Sequence, residues 1–586
     1  MRASASVSVA RSPSLAWALL AGVASVASCH DGATKGDVTH VEPDACTALS
    51  DAGIADVHAH DVLTQHNDVA RTGATLSESV LDTCSVPNLT KLGEYAVDGE
   101  VYAQPLYVAD VATPAGAKDL LIVATMADSL YAFDAGLPGS APVWQLGSRG
   151  ELGAPAFSAR NVAGNNGILA TPVIDVAADT VFVSSRDCDP AYRPEVPHCK
   201  QRLFDIALDT GKIRRSVDIA GSVSNASGSS ATFFDPSLHW ARAGLLLRQG
   251  RLFVSFGSGP NGNAHEEDFP FHGWLFGYTS SNLEIAPSVY CSTPELGGGA
   301  IWQSGNAPAA DDDAVYFATG NGIHQPTPVA PAGFPTVPEG DEDSLVRVPL
   351  AAPSTSLHFW DGRAYRADGN VFQYMEKNDI DLGTAGPLLI PGTSQLIAAG
   401  KSGIIYVLDR TTLRPTQDPL EVFHGPSLAA GQTKYIFFYD GGPHVHGSPV
   451  FVRPNDATDS PGPGLLFYWP AHEPLTSFSY EYATGTLSPL ATASVPRPDS
   501  GGILAASADG TRADSAIVWA STVDPDGTSG HLWALSATTL NRLWDTKLPA
   551  WAKFATPTVA AGRVYLASSS SKPNSDSTVQ VFGLAQ

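Results

Sequence analysis

The chain has 586 residues, with 34 Lys and Arg against 59 Asp and Glu, so its formal net charge is −25 at pH 7. A surface of that sign repels nucleic acid and anionic lipid headgroups, which excludes a phosphate-backbone binder. With 55 Gly, 44 Pro and only 3 Met, the composition favours many short strands joined by tight turns over long helices.

The N-terminus reads as an export signal over residues 1–28. Arg2 and Arg11 supply positive charge, and Leu15 to Ser28 an apolar stretch too short to span a bilayer comfortably. Val26-Ala27-Ser28-Cys29 resembles the lipobox of bacterial lipoproteins, in which the cysteine is cut free and acylated. That similarity implies a lipid on Cys29; cleavage after Ala27, giving a soluble secreted protein, is the alternative. Residues 29–84 form an N-terminal segment, and residues 30 to 60 of it read as a flexible tether.

Five cysteines follow Cys29. An exported chain permits disulfides. Cys188 and Cys199 bracket a loop that such a bond would close, Cys46 and Cys84 are the natural second pair, and Cys291 is left over for the interior. Zinc held by Cys188, His198 and Cys199 is the alternative, although that spacing matches no standard ligand pattern.

From residue 104 onward one phrase returns eight times: a small residue and often a proline, then three apolar runs, the last ending near Asp or Gly. Copies begin at Gln104-Pro105-Leu106, Thr171-Pro172-Val173, Ala243-Gly244-Leu245, Ala307-Pro308, Gly386-Pro387-Leu388, Ser448-Pro449-Val450, Ile503-Leu504-Ala505 and Thr556-Pro557-Thr558. Repeats of several tens of residues mean a solenoid, propeller or array, and an all-strand repeat selects the β-propeller. The predicted second strands include Leu120 to Ala124 and Ala314 to Ala318, and the third strands Leu130 to Asp134 and Ile404 to Asp409. The last copy has no fourth strand of its own. Lys91 to Val97, lying upstream of the first copy, is predicted to complete it and close the ring, which removes open edges. The prediction is therefore an all-β, single eight-bladed β-propeller of four-stranded blades over residues 85–586, or seven blades if the Ala307 or Ile503 copy is an insertion.

Asp128-Ser129-Leu130-Tyr131-Ala132-Phe133-Asp134, Thr171-Pro172-Val173-Ile174, His531-Leu532-Trp533-Ala534-Leu535 and Gly562-Arg563-Val564-Tyr565 resemble repeats of the quinoprotein, or PQQ-like, β-propeller superfamily. His272-Gly273-Trp274, Ile301-Trp302-Gln303, Ala318-Thr319-Gly320-Asn321 and His446-Gly447-Ser448 look most like exported bacterial lipoproteins with such repeats. The resemblance implies two different functions. One branch holds pyrroloquinoline quinone (PQQ) and Ca²⁺ on the propeller axis and oxidises alcohols or sugars. The other is an outer-membrane assembly lipoprotein that binds proteins without a cofactor. This chain lacks the adjacent Cys-Cys pair and the Cys-x-x-Cys-His haem motif of the first branch.

Strands of a blade alternate in direction, so loops before first strands and loops between second and third strands open on one face. That face is the expected ligand rim. Its candidates are Gln104, Asp128, Arg186, Arg242, His272, Trp302, Gln303, Asn321, Lys401, His444 and His446, with Lys553 in the same class of loop. Trp302 could stack on a flat ligand or pack between blades. Lys401 and Arg186 could meet an anion or balance nearby carboxylates. Asp128 is most simply a turn residue, and serves as a general base only where an apolar setting raises its pKa. His444 and His446 share one side of an extended segment but have no located third metal ligand, so no metal is expected. No Gly-x-Ser-x-Gly elbow, phosphate loop or His-Glu-x-x-His is present. The expectation is a monomeric binding or scaffold protein of the cell envelope, facing a protein or glycan, touching membrane only through its lipid and needing no cofactor. A PQQ- and Ca-dependent oxidoreductase is the alternative.

Overall fold

The structure is a computed structural model. It describes residues 56–158, 164–189, 198–224, 228, 230–258, 271–295, 297–322, 340–350, 357–359, 380–422, 445–456, 458, 462–512, 514–569 and 577–585. The signal segment, Cys29, Cys46, most of the expected tether and His444 lie outside these residues.

Eight antiparallel sheets follow one another along the chain. Blade 1 runs Leu106–Thr113, Gly116–Ala124, Leu130–Asp134 and Trp144–Leu146 from the axis outward. The two weak copies are genuine blades: Ala309–Ala310 opens blade 4 and Ile503–Ser507 is an inner strand of blade 7. Blade 8 consists of Thr558–Ala560, Arg563–Ser568 and Ser577–Leu584, and its outer strand is Leu89–Val97, antiparallel to Ser577–Leu584. The predicted closing strand is thus observed, two residues longer at its start. No α-helix occurs among the described residues.

Burial explains why each strand reads as it does. Inner strands are covered on both faces by neighbouring blades, so Ala314–Ala318 and Ile503–Ser507 are apolar or small throughout and wholly buried. Outer strands face water along one side, and Ile213–Asp218 accordingly carries Arg214, Arg215 and Ser216 exposed. Between blades 7 and 8 the core is built around Trp519, packed with Leu532, Leu566 and Phe582 and sealed by Leu81 and Val86 from the N-terminal segment.

The innermost strands would present an open edge to the axis, and residues 62–78 cover it blade by blade. Val62 bridges Tyr107 of blade 1. The Leu63 carbonyl accepts the N–H of Ile174 in blade 2 at 2.8 Å, and Thr64 donates to the Leu245 carbonyl beside blade 3 at 3.5 Å. Carbonyls of Val69, Ala70, Thr72 and Gly73 accept, each at 2.8 Å, the N–H groups of Ala310, Leu389, Phe451 and Ala506 in blades 4 to 7. Thr75 donates to the Val559 carbonyl of blade 8 at 2.8 Å, and Glu78 accepts the Gly562 N–H at 3.0 Å. One segment therefore touches all eight blades in chain order and satisfies backbone groups that would otherwise be orphaned.

The segment is coiled tightly enough to place His66, Asn67, Arg71 and Gly73 at positive φ. Arg71 is buried at its centre and donates to Pro308 O, Thr64 Oγ1 and Gln65 O at 2.7–2.8 Å. The unit assembled around the axis thus begins near residue 62 rather than 85, because the inner strands need a partner that the blades themselves do not provide.

Gly73 tests this plug. Its φ is +68°, and an added Cβ would stand 2.7 Å from Val450 Cγ1. Gly73→Val should lower stability by roughly 2–4 kcal/mol through strain and overpacking, read as a lower urea midpoint at unchanged slope. Gly392→Ala, at φ +71° with open space around it, should cost clearly less.

Candidate ligand site on the loop face

The site grows out of the loops that lead into the inner strands. Arg242 stands two residues ahead of Gly244, whose missing Cβ would meet Gln65 of the plug at 3.1 Å. The site therefore opens directly next to the axial segment. Its centre is Phe554, ahead of the first strand of blade 8. Its ring meets Tyr102 of the blade 1 loop at 6.2 Å and His446 of the blade 6 loop at 5.9 Å. Its Cβ lies 3.6 Å from the point where a Cβ on Gly305 of the blade 4 loop would be. Blades 4 and 8 are opposite in a ring of eight, so Phe554 stands on the axis. Its φ is +71°, an unusual conformation for a bulky residue that neighbours must enforce and that often marks functional sites. Met126, Leu169 and Trp240 complete an apolar wall with Tyr102 and Phe554.

Three cations converge on this aromatic centre. The Arg242 guanidinium lies 4.9 Å from the Trp302 ring centroid and 5.8 Å from that of Phe554. The Lys401 ammonium lies 5.6 Å from Trp302, and that of Lys553 4.9 Å from Phe554. The Asp381 carboxylate faces Lys401 and Arg242. Its Oδ2 accepts Lys401 Nζ at 2.5 Å, and its Oδ1 accepts the Asn321 N–H at 2.9 Å. Among the described residues Arg242 and Lys553 make no side-chain hydrogen bond and no ion pair, and Arg242 Nε is buried without an acceptor. Burial pulls the Arg242 pKa down to about 10 against the attraction of Asp381. Burial, with Arg242 and Lys401 beside it, pulls Lys553 down to about 8. A buried cation without a partner is costly, and among the described residues Arg242 and Lys553 are two such cations.

The remaining candidates lie apart from this centre. Gln104 is a structural link, accepting the His66 N–H at 2.9 Å and donating to Thr558 at 3.2 Å. Gln303 is buried and bonded to Asn306 O and the Ala318 N–H. His272 donates through Nδ1 to Thr293 O at 2.8 Å, and its backbone N–H binds His239 Nε2 at 2.9 Å. Arg186 is buried and donates to Ser237 O at 2.8 Å. Asn321 approaches the pocket through Asp381 and gives its amide to Asp343 Oδ2 at 3.0 Å, with its Oδ1 buried and unpartnered.

Asp128 is more than a turn residue. It sits at φ +55° in the turn between the second and third strands of blade 1, fully buried, with neither carboxylate oxygen hydrogen-bonded within ordinary geometry. Burial holds its carboxyl well above the usual range, opposed by the backbone and guanidinium of Arg186 and reinforced by Asp187 and Asp98.

Tyr102, Asp381 and Phe554 complete the pocket but were not among the sequence candidates. All three lie in the loop class that precedes first strands, so that topological rule would have found them; residue type alone did not. Elsewhere, Cys188 and Cys199 are disulfide-bonded across paired strands, which removes the zinc alternative. Cys84 is also disulfide-bonded, and Cys291 is free and buried.

The chemistry that the family resemblance implies can be tested against these residues. A flat, multiply carboxylated quinone suits Trp302 with Arg242, Lys401 and Lys553. Ca²⁺ wants six to eight oxygen ligands. Both oxygens of Asp381 are engaged, and no group of three His, Cys, Asp or Glu able to hold a metal occurs among the described residues. The residues fit the organic anion and not the metal.

Comparison with known proteins places the fold. No protein-family model matches the sequence, and no curated protein matches it either. Among solved structures, quinohemoprotein alcohol dehydrogenase from Comamonas testosteroni superposes with a TM-score of 0.52 at 15% identity, over 89% of this chain and 80% of that one. The chain shares its PQQ β-propeller fold. BamB from Moraxella catarrhalis gives 0.45 at 14% identity, over 84% of this chain and 99% of that one. The computationally designed Ika8 protein gives 0.43 at 10%, over 84% and 99%.

Two titrations follow from the buried groups. His66 and His239 are held neutral, with pKa values near 3 against an ordinary 6.5, chiefly by burial. The unfolded chain therefore takes up protons that the fold refuses, and the melting temperature should fall as pH drops from 6.5 toward 4. Asp128 acts oppositely, because its raised pKa makes ionisation in the fold unfavourable at neutral pH. Asp128→Asn should stabilise by roughly 1–3 kcal/mol at pH 7, with the gain shrinking toward pH 4 in chemical denaturation.

Proposed function

We propose that this protein is an exported, lipid-anchored β-propeller of the cell envelope that captures an anionic, carboxylate-bearing ligand on its loop face, free or carried by an envelope protein or glycan. The observation behind this reading is the pair of cations, Arg242 and Lys553, that have no ion-pair partner among the described residues and stand beside Trp302, Phe554 and Tyr102 in a chain of net charge −25. Anions are repelled by most of such a surface, so a local cationic pocket is selective by contrast. Export is supported by the Cys188–Cys199 disulfide, which needs an oxidising compartment, and by the N-terminal signal pattern. Lipidation at Cys29 rests on the lipobox. The net charge of −25 disfavours nucleic acid as the partner.

A second reading, oxidation of an alcohol or sugar with bound PQQ, is favoured by the buried, unpartnered Asn321 Oδ1 next to Asp381. Thermal-shift titration with PQQ and citrate, each with and without Ca²⁺, separates the readings. A ligand that binds only the native state raises its stability by about 2.7 kcal/mol at a hundredfold excess over Kd. A Ca²⁺-independent rise, abolished by Arg242→Ala, is the expected result. A rise that requires Ca²⁺ and is accompanied by dye reduction with alcohols would move the assignment to the oxidoreductase. No rise with either ligand at about 100 µM would overturn the anion site.

A further inference from the structure

Lys553 stands apart from the other lysines among the described residues, of which Lys91 pairs with Glu94 at 2.6 Å. Lys118, Lys200, Lys401 and Lys547 each lie within 3.5 Å of a carboxylate oxygen, and Lys212 is exposed. Lys553 is half-buried, packs its ammonium on the Phe554 ring and has no acceptor among the described residues. The Asp381 carboxylate beside the cluster is committed to Lys401 and to the Asn321 N–H. The strained backbone of Phe554, the next residue, fixes where the Lys553 stem starts.

Building on the anion-binding reading of this pocket, we infer that the Lys553 amine is a nucleophile that forms an imine with the carbonyl of an aromatic 2-oxo acid, whose carboxylate is held by Arg242 and whose ring lies among Trp302, Phe554 and Tyr102. Arg242 and Lys553 both stand against the Phe554 ring, at 5.8 and 4.9 Å from its centroid, and Arg242 is near enough to act electrostatically on Lys553, so the proposal places the carboxylate on the first and the adjacent carbonyl at the second. A guanidinium with no partner is suited to bidentate carboxylate capture. An apolar wall and two neighbouring cations are the surroundings that make a lysine nucleophilic. They hold its pKa at about 8, so close to a tenth of the amine is neutral at pH 7.

The chemistry needs no oxidant or cofactor. The neutral nitrogen attacks the carbonyl carbon, the C=O π pair moves to oxygen, and transfer of one N–H proton to that oxygen gives a carbinolamine. The C–O bond then breaks, the hydroxyl leaves as water with the second N–H proton, and C=N remains.

The test treats the intact chain with phenylpyruvate at pH 8, adds borohydride, which reduces any imine to a stable amine, and maps the modified peptide by mass spectrometry. The expected result is an adduct on Lys553 and not on Lys401. It should be absent in Lys553→Arg, roughly tenfold weaker in Arg242→Gln, and competed by phenyllactate, which has the carboxylate and no carbonyl. If Lys553→Arg does not fold, the distribution between Lys553 and Lys401 in the unaltered chain still decides. No adduct on Lys553, while phenyllactate still raises the melting temperature, overturns the imine and leaves the anion site standing. No thermal response to either compound removes both.

Discussion

The ring rests on the hydrogen bonds between residues 62–78 and the eight innermost strands. A propeller blade is satisfied on its outer edge by exposure to water, but its inner edge faces a narrow axis where water cannot serve every N–H and C=O. Here a polar run of the same chain takes that place. Because it reaches each blade in turn, it couples blades that are otherwise in contact only with their neighbours. Repeat architectures are usually stabilised by nearest-neighbour terms; this one adds a hub. Arg71 at the middle of the hub spends its donors on carbonyls of the coil itself and of Pro308, which holds the coil to its shape.

The hub also decides where a ligand can enter. The hub runs beside the loop-face cluster, where Gly244 packs close to Gln65 and Gly305 close to Phe554. Arg242 and Lys553 reach Phe554 from loops before the inner strands of blades 3 and 8, and Lys401 reaches the neighbouring Trp302 from the loop between the second and third strands of blade 5. Electrostatics does the rest. Paired charges, such as Lys401 with Asp381, cancel; Arg242, without an ion-pair partner among the described residues, gives the cluster its sign.

The fold was legible because blades impose a strict pattern. Thr171-Pro172-Val173-Ile174 and Gly562-Arg563-Val564-Tyr565 announce a strand start and a turn, and the apolar alternation after them fixes strand identity. Even the borrowed outer strand was visible, since Lys91 to Val97 alternates and the last repeat lacked a partner. The plug was not. Thr64-Gln65-His66-Asn67-Asp68 reads as linker by composition, and its burial is produced by eight edges distant in sequence. The site was half legible for the same reason. Topology put Arg242, Trp302, Lys401 and His446 on one face, and those four do meet at or beside Phe554. Gln104 and Gln303 share that face by position, yet their amides are consumed by backbone and plug. The elevated Asp128 carboxyl had no sequence signal, since it arises from what covers the turn and not from the turn itself.

The closing strand has a consequence for biogenesis. Leu89–Val97 and the hub leave the ribosome long before their partners in blade 8. Early sheets can form while synthesis continues, but the seam cannot be sewn until Ser577–Leu584 arrives. A chain cut short before that point keeps an unpaired N-terminal strand and an exposed edge on its last sheet, both ready substrates for chaperones and proteases. The seam thereby tests whether synthesis has passed blade 8, and only a copy that has done so hides it.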